Sequence, residues 1–111
     1  MSYEPDRGDV VWMMLNPQSG HEQAGHRPAI VLSPRAYNAK VGLLLCCPIT
    51  SQEKKYPFEV RIPKGLPISG VILSDQIKSL DWQARGATFI CKVSGKTVGE
   101  VMEKLNLLLT V

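Results

Sequence analysis

Residues 88–109 read TFICKVSGKTVGEVMEKLNLLL, and within this stretch the spacing of apolar residues changes from that of a strand to that of a helix. The first part, from Thr88 to Val93, is rich in β-branched and aromatic residues and predicts a last strand. From Val98 onward the apolar residues recur three and four positions apart, which is the spacing of one helical face. We therefore expect a helix over about residues 95–109, with its apolar stripe facing the core rather than a partner.

The start of this helix has two candidate caps. Thr97 followed by Glu100 fits a capping box, and Ser94 is a rival N-cap one turn earlier. Gly99 falls in the first turn and weakens it by about 1 kcal/mol relative to alanine. The sequence leaves both caps open.

Upstream of residue 88, short apolar runs alternate with polar or Gly- and Pro-rich connections. Strands are predicted at residues 10–15, 28–32, 41–49, 58–62, 70–73 and 76–80, with a turn or short helical piece at 33–40. The run from Ala29 to Leu32 is continuously apolar, so we expect it to be buried on both faces. Many short strands followed by one helix predict a mainly β, α+β fold, in which a small sheet or barrel packs against the helix. The pattern alone does not separate a barrel from a sandwich.

Length and composition are those of a small soluble protein. The 111 residues fit a single domain spanning 1–111, and 44% are hydrophobic and 21% charged. The net charge of +3 permits an anionic partner without requiring one. The N-terminus is polar and the longest apolar runs are only strand-sized, so we expect neither a signal peptide nor a membrane span, and a cytoplasmic location.

Several kinds of chemistry lack their sequence signatures. The three cysteines, Cys46, Cys47 and Cys91, are too few and wrongly spaced for a disulfide framework or a zinc site. His21 and His26 are five residues apart in a loop, and no acidic pair accompanies them. Neither a G-x-S-x-G sequence nor a glycine-rich phosphate loop is present. We therefore expect no metal and no cofactor.

Polar loops between the apolar strands hold the candidate functional residues. The loop from Asn16 to His26 has eleven residues, and connections of this length are often functional. Arg27 follows it, and Pro28 restricts the arginine backbone to extended forms. A guanidinium with five donors and a permanent charge suits a phosphate, although a loop arginine taken alone is more often a solvated surface residue.

Four blocks of the sequence resemble the MazF/PemK family of toxins, in the order and spacing of that family. They are RGDVVW at 7–12, EQAGHRPAIVLS at 22–33, PITSQ at 48–52 with YPFEV at 56–60, and GVILSDQIKS at 70–79. The resemblance covers nearly the whole chain. It implies a homodimer with an SH3-like β-barrel and a C-terminal helix. It also implies a sequence-specific endoribonuclease that cuts single-stranded RNA, inhibits translation and is neutralised by a cognate antitoxin.

The resemblance also assigns site residues. It implies that Arg27 and Thr50 are catalytic. Further residues within or beside the blocks are predicted to bind the substrate. They are Glu22, His26, Ser51, Lys54, Asp75 and Gln76. Two departures bear on the RNA sequence that is cut: Leu15-Asn16 stands where close relatives have an aromatic and an acidic residue, and Ser51 replaces a threonine.

The reaction implied by the resemblance is attack of the ribose 2′-OH on the adjacent phosphorus. It yields a 2′,3′-cyclic phosphate and a 5′-OH, and needs a proton acceptor, a proton donor and a group that stabilises the oxyanion. Arg27 suits the last role, since an arginine is a poor base at neutral pH. Thr50 would donate a hydrogen bond to a nonbridging oxygen, and either Glu22 or His26 would accept the proton.

Two other functions remain open at this point. Toxins of the same fold that poison gyrase bind a protein and cut nothing. They use an aromatic residue at the C-terminal end, and residues 95–111 contain none. The other alternative is an RNA-binding module without activity.

Overall fold

The computed structural model describes residues 2–16 and 25–110. Within these ranges the elements are β1 (Asp9–Met14), β2 (His26–Val31), α1 (Arg35–Val41), β3 (Leu43–Thr50), β4 (Glu59–Arg61), β5 (Val71–Leu73), β6 (Lys78–Asp81), β7 (Thr88–Lys92) and α2 (Gly95–Leu109). Every predicted strand and the C-terminal helix are confirmed; strand boundaries shift by at most two residues, and the helix has the predicted bounds. The helical piece expected at 33–40 is α1.

The strands form one antiparallel sheet of seven in the described part of the chain. Its order is β4-β5-β3-β2-β1-β7, and β6 pairs with the first half of β3 while β5 pairs with its last two residues. Within the described residues, 2–16 and 25–110, the two end strands β4 and β7 do not pair with each other. The sheet is therefore open rather than a closed barrel. The mainly β fold with a C-terminal helix is confirmed, and only the closure of the expected barrel needs correction.

Both faces of the central strands are buried. One face packs against α2, through Val98, Val101 and Leu105, and the other forms a second cluster around Met13, Leu44 and Trp82. Ala29 to Leu32 is buried throughout, as its apolar run predicts. The adjacent Cys46 and Cys47 belong to different clusters, because neighbouring side chains on a strand point to opposite faces.

Helix α2 begins one turn earlier than a capping box at Thr97 would place it. The Ser94 hydroxyl accepts a hydrogen bond from the Thr97 N–H at 3.4 Å, so Ser94 is the N-cap. The prediction that the apolar stripe faces the core is wrong for the C-terminal half of α2, where the apolar residues Met102, Leu108 and Leu109 are exposed. A helix of 15 residues is about 22 Å long, and its buried contacts with the core come from Val98, Val101 and Leu105.

No helix within the described ranges combines the length and apolarity needed to cross a membrane.

Candidate active site

Neighbouring strands β2 and β3 carry the two residues predicted to be catalytic. The pairing of β2 with β3 ends at Ala29 and Pro48; continued by two residues on each strand, its register would bring Arg27 opposite Thr50. Directly opposed residues of an antiparallel pair share a face, with their Cβ atoms roughly 4.5–5.5 Å apart. Arg27 is half-buried and Thr50 is 5% exposed. In that arrangement a single phosphate at this edge of the sheet would contact both side chains.

The environment of Thr50 fixes its hydroxyl. Its Oγ1 accepts a hydrogen bond from the Gln52 N–H at 3.2 Å, which leaves the hydroxyl proton to be donated elsewhere. Gly70 lies directly against the Thr50 backbone with a φ of +116°, and a Cβ there would overlap the Thr50 carbonyl oxygen. Only glycine allows β5 to approach the end of β3 this closely.

A cavity of about 640 Å³ opens beside Thr50, within the usual size range of ligand pockets. We call it the Thr50 cavity, and its lining residues are Thr50, Gln52, Lys54, Lys55, Tyr56, Pro57, Glu59, Leu73, Asp75 and Gln76. It brings together four residues singled out from the sequence: Thr50, Lys54, Asp75 and Gln76. The two lysines, with Arg27 on the adjacent strand, supply cationic groups suited to a phosphate backbone.

The remaining candidates lie elsewhere. Ser51 lines a second cavity with Arg61, on the other side of the β3 end. The His26 ring stacks on the exposed Trp12 ring, with centroids 5.3 Å apart and an interplanar angle of 5°. As the neighbour of Arg27 on β2, His26 points to the opposite face of the strand. Glu22 lies outside the described residues.

The segment 51–58 that forms one wall of the cavity is held at several points. The Glu59 carboxylate accepts hydrogen bonds from the Lys54 N–H at 3.0 Å and the Tyr56 N–H at 3.2 Å. Lys104 of α2 donates to the Pro57 carbonyl at 2.5 Å. Lys55 has a φ of +57°, a left-handed conformation that is unusual for a residue with a side chain. These contacts hold the segment 51–58 in a defined conformation.

Tyr56 joins this wall to the opposite one. Its hydroxyl donates to Asp75 Oδ2 at 2.7 Å, and this hydrogen bond to a carboxylate raises the pKa of Tyr56. The other oxygen, Asp75 Oδ1, is buried and has no hydrogen-bond partner among the described residues; the same holds for Ser74 Oγ. Tyr56 and Glu59 were not singled out as site residues from the sequence, although both belong to the YPFEV block.

Cysteine and metal chemistry find no support in the described residues. Burial raises the pKa of the Cys46 and Cys47 thiols to about 12, and also raises that of Cys91. None of them is therefore a thiolate nucleophile at neutral pH. Residues 2–16 and 25–110 contain no group of three or more His, Cys, Asp or Glu side chains that could hold a metal ion.

Comparison with known sequences yields a family and close relatives. The family model of PemK-like, MazF-like toxins of type II toxin-antitoxin systems matches residues 6–109. The chain is 50% identical over 107 residues to the endoribonuclease toxin MazF of Escherichia coli K12, covering 96% of each chain. It is 32% identical to the endoribonuclease PemK of Escherichia coli, over 95% of this chain and 82% of that protein.

Solved structures agree with these relatives. The crystal structure of MazF from Deinococcus radiodurans superposes with a TM-score of 0.95 at 49% identity, covering 99% of this chain and 100% of that one. A crystal structure of MazE-MazF from the same organism gives a TM-score of 0.88 at 50% identity, covering 97% of each chain.

Proposed function

This chain belongs to the family of PemK-like, MazF-like toxins of type II toxin-antitoxin systems, and we propose on that premise that it is a sequence-specific endoribonuclease cutting single-stranded RNA. The observation that carries the proposal is the cavity of about 640 Å³ beside Thr50, which Lys54, Asp75 and Gln76 also line, with Arg27 on the adjacent strand β2. Relatives named endoribonucleases, at up to 50% identity over nearly the whole chain, support it.

The proposed reaction is an internal transfer. The ribose 2′-OH attacks the adjacent phosphorus, the bond to the 5′ oxygen of the next nucleotide breaks, and the products are a 2′,3′-cyclic phosphate and a 5′-OH. Arg27 neutralises the charge that develops on the phosphate, and Thr50 donates a hydrogen bond to a nonbridging oxygen. Because His26 faces away from Thr50, Glu22 is favoured over His26 as acceptor of the 2′-OH proton.

The RNA chain would run through the Thr50 cavity. Lys54 would contact a phosphate as a mobile point charge, Gln76 would offer polar groups to base edges, and Asp75 would act on the substrate through the Tyr56 side chain that it holds. Ser51 lines the second cavity with Arg61 and would contact the RNA there. These assignments predict that Lys54 governs affinity for any RNA, while Gln76 governs which sequence is cut.

Translation inhibition, a cognate antitoxin, a homodimeric state and a cytoplasmic location complete the proposal. The MazE-MazF structures from Deinococcus radiodurans, at 44–50% identity, support an antitoxin partner. Exposed Met102 and Leu109, which share one face of α2, support the homodimer, since exposed apolar side chains on one face often mark an interface.

Purified protein incubated with single-stranded RNA and EDTA tests the proposal. We expect cleavage that persists in the chelator and is absent with Arg27→Ala. Binding without cutting would indicate an RNA-binding module. Neither binding nor cutting would favour a toxin of this fold that acts on a protein such as gyrase. Loss of cutting in EDTA would contradict the metal-independent reaction.

A further inference from the structure

Tyr56 presents an aromatic ring to solvent inside the Thr50 cavity. The side chain is 45% exposed and lines the same cavity as Thr50 and Lys54. An exposed tyrosine is ordinary on a protein surface, and by itself indicates nothing. The way in which this ring is held is what separates it from other exposed aromatic residues of the chain.

Three contacts fix the Tyr56 ring. The hydroxyl donates to Asp75 Oδ2 at 2.7 Å, across 19 residues of sequence. The backbone N–H donates to Glu59 Oε1 at 3.2 Å, and the ring lies 5.7 Å from that of Phe58, at an interplanar angle of 48°. The far end, the backbone and one side of the ring are thus all constrained.

The Asp75 carboxylate that holds the ring is itself in an unfavourable environment in the free protein. Asp75 keeps one carboxylate oxygen buried with no partner among the described residues, and such an unpaired buried acceptor is unfavourable. A ring fixed before binding loses little side-chain entropy when a flat ligand covers it, which strengthens binding. The fixed Tyr56 ring is therefore suited to bind a planar group of a ligand.

The surroundings of the ring specify what that group is. Lys54 and Lys55 line the same cavity and favour a negatively charged ligand. Nucleobases of single-stranded RNA stack on aromatic side chains in proteins, while basic residues follow the backbone. Both requirements, planar and anionic, are met by a nucleotide adjacent to the phosphate at Thr50.

We propose that Tyr56 is a base-stacking residue of this site, whose ring packs on one nucleobase of the bound RNA, and that Asp75 and Glu59 are positioning residues for that ring. This inference rests on the proposed function in taking RNA as the ligand. It adds a residue that determines affinity for the bases of the RNA to the pair Arg27 and Thr50.

Binding measured without cleavage tests the inference. The ligands are two fluorescent decamers with a 2′-O-methyl ribose backbone, one with random bases and one without bases, titrated by fluorescence anisotropy. Wild-type protein should bind the decamer with bases more tightly. Tyr56→Leu should weaken that binding by about 5- to 100-fold and leave binding of the base-free decamer unchanged.

Matched variants separate stacking from other effects. Tyr37→Leu removes a tyrosine of α1 that is 39% exposed and outside the cavity, and should change neither affinity. Lys54→Ala should weaken both decamers alike, because it removes a backbone contact. Tyr56→Phe keeps the ring and loses only the Asp75 anchor, so its loss should be smaller than that of Tyr56→Leu and again confined to the decamer with bases.

An equal loss on both decamers, or no loss with Tyr56→Leu, would overturn the inference. Circular dichroism checks that each variant folds; if Tyr56→Leu does not, Tyr56→Phe and Asp75→Asn decide, and unchanged affinity in both would overturn it. Cutting of the matching ribose RNA is scored separately. Wild-type protein that binds but does not cut contradicts the proposed function, while the stacking comparison still stands. Failure of wild-type protein to bind either decamer would overturn both.

Discussion

Arg27 combines a permanent charge with a fixed place on β2, and its substitution should separate chemistry from folding. The side chain is only half-buried at the start of a strand, so Arg27→Ala should fold normally. We expect cleavage to fall by roughly 10²- to 10³-fold or more, the cost of removing one preorganised donor to a developing oxyanion. Arg27→Lys should also fail, since a point charge does not replace the planar guanidinium. Turnover of a fluorescent RNA, with circular dichroism, checks both; near wild-type turnover by folded Arg27→Ala would contradict the assignment.

The Tyr56–Asp75 hydrogen bond predicts a pH dependence in the alkaline range. The bond raises the pKa of Tyr56, so the folded protein holds the hydroxyl proton more tightly than the unfolded chain does. Its stabilisation is complete below the ordinary tyrosine pKa and is lost as pH rises through the higher folded value. In a titration of tyrosinate absorbance, Asp75→Asn should move one step to lower pH, and Tyr56→Phe should remove that step. Identical titrations for wild type and Asp75→Asn would refute the claim that Asp75 raises the pKa of Tyr56.

Single site residues could be predicted where a sequence block surrounds them, and not where a distant contact places them. Thr50, Lys54, Asp75 and Gln76 meet in one cavity, and all four were singled out through the family resemblance. Tyr56 was missed because its role depends on a bond to a carboxylate 19 residues away, which no local pattern reveals. Whether Arg27 and Thr50 act as proposed remains a prediction.

At the level of elements, the close approach of β5 to β3 depends on one glycine. A Cβ at Gly70 would overlap the Thr50 carbonyl oxygen, whereas a Cβ at Gly65 would meet nothing within 4 Å. Both have positive φ, so alanine at either position strains the backbone. We expect Gly70→Ala to lower both the free energy of unfolding and cleavage well beyond the effect of Gly65→Ala. Denaturant unfolding and RNA turnover measure this, and equal effects of the two substitutions would contradict it.

Strand and helix positions follow from the period of the apolar residues, which is why residues 95–109 were predicted as the helix that forms. The choice between Ser94 and Thr97 as N-cap does not follow from this period, because both side chains suit the position and lie within one turn of each other. The exposure of the C-terminal half of α2 depends on which part of the helix the rest of the fold covers, and the open sheet depends on whether its two end strands pair. Neither is a property of any single segment.

For the whole molecule, the exposed apolar residues of α2 predict a self-association that charge would break. Met102 and Leu109 are seven residues apart and share a helical face, and they are 43% and 70% exposed. We expect wild-type protein to sediment as a dimer, and the double substitution of both by lysine to sediment as a monomer. The control Glu103→Lys adds charge on another part of the helix and should leave the dimer intact. A dimer that survives the double substitution would place the interface elsewhere.

The most direct measurement uses an RNA that carries one 2′-deoxy nucleotide on the 5′ side of the bond that is cut, with the products identified by mass. If the ribose 2′-OH is the nucleophile, the all-ribose RNA should yield a 2′,3′-cyclic phosphate and a 5′-OH. The RNA with the single deoxy nucleotide should stay intact at that bond and be cut normally at others. Cleavage of the deoxy bond would contradict the internal transfer at Arg27 and Thr50, and so would products lacking the cyclic phosphate.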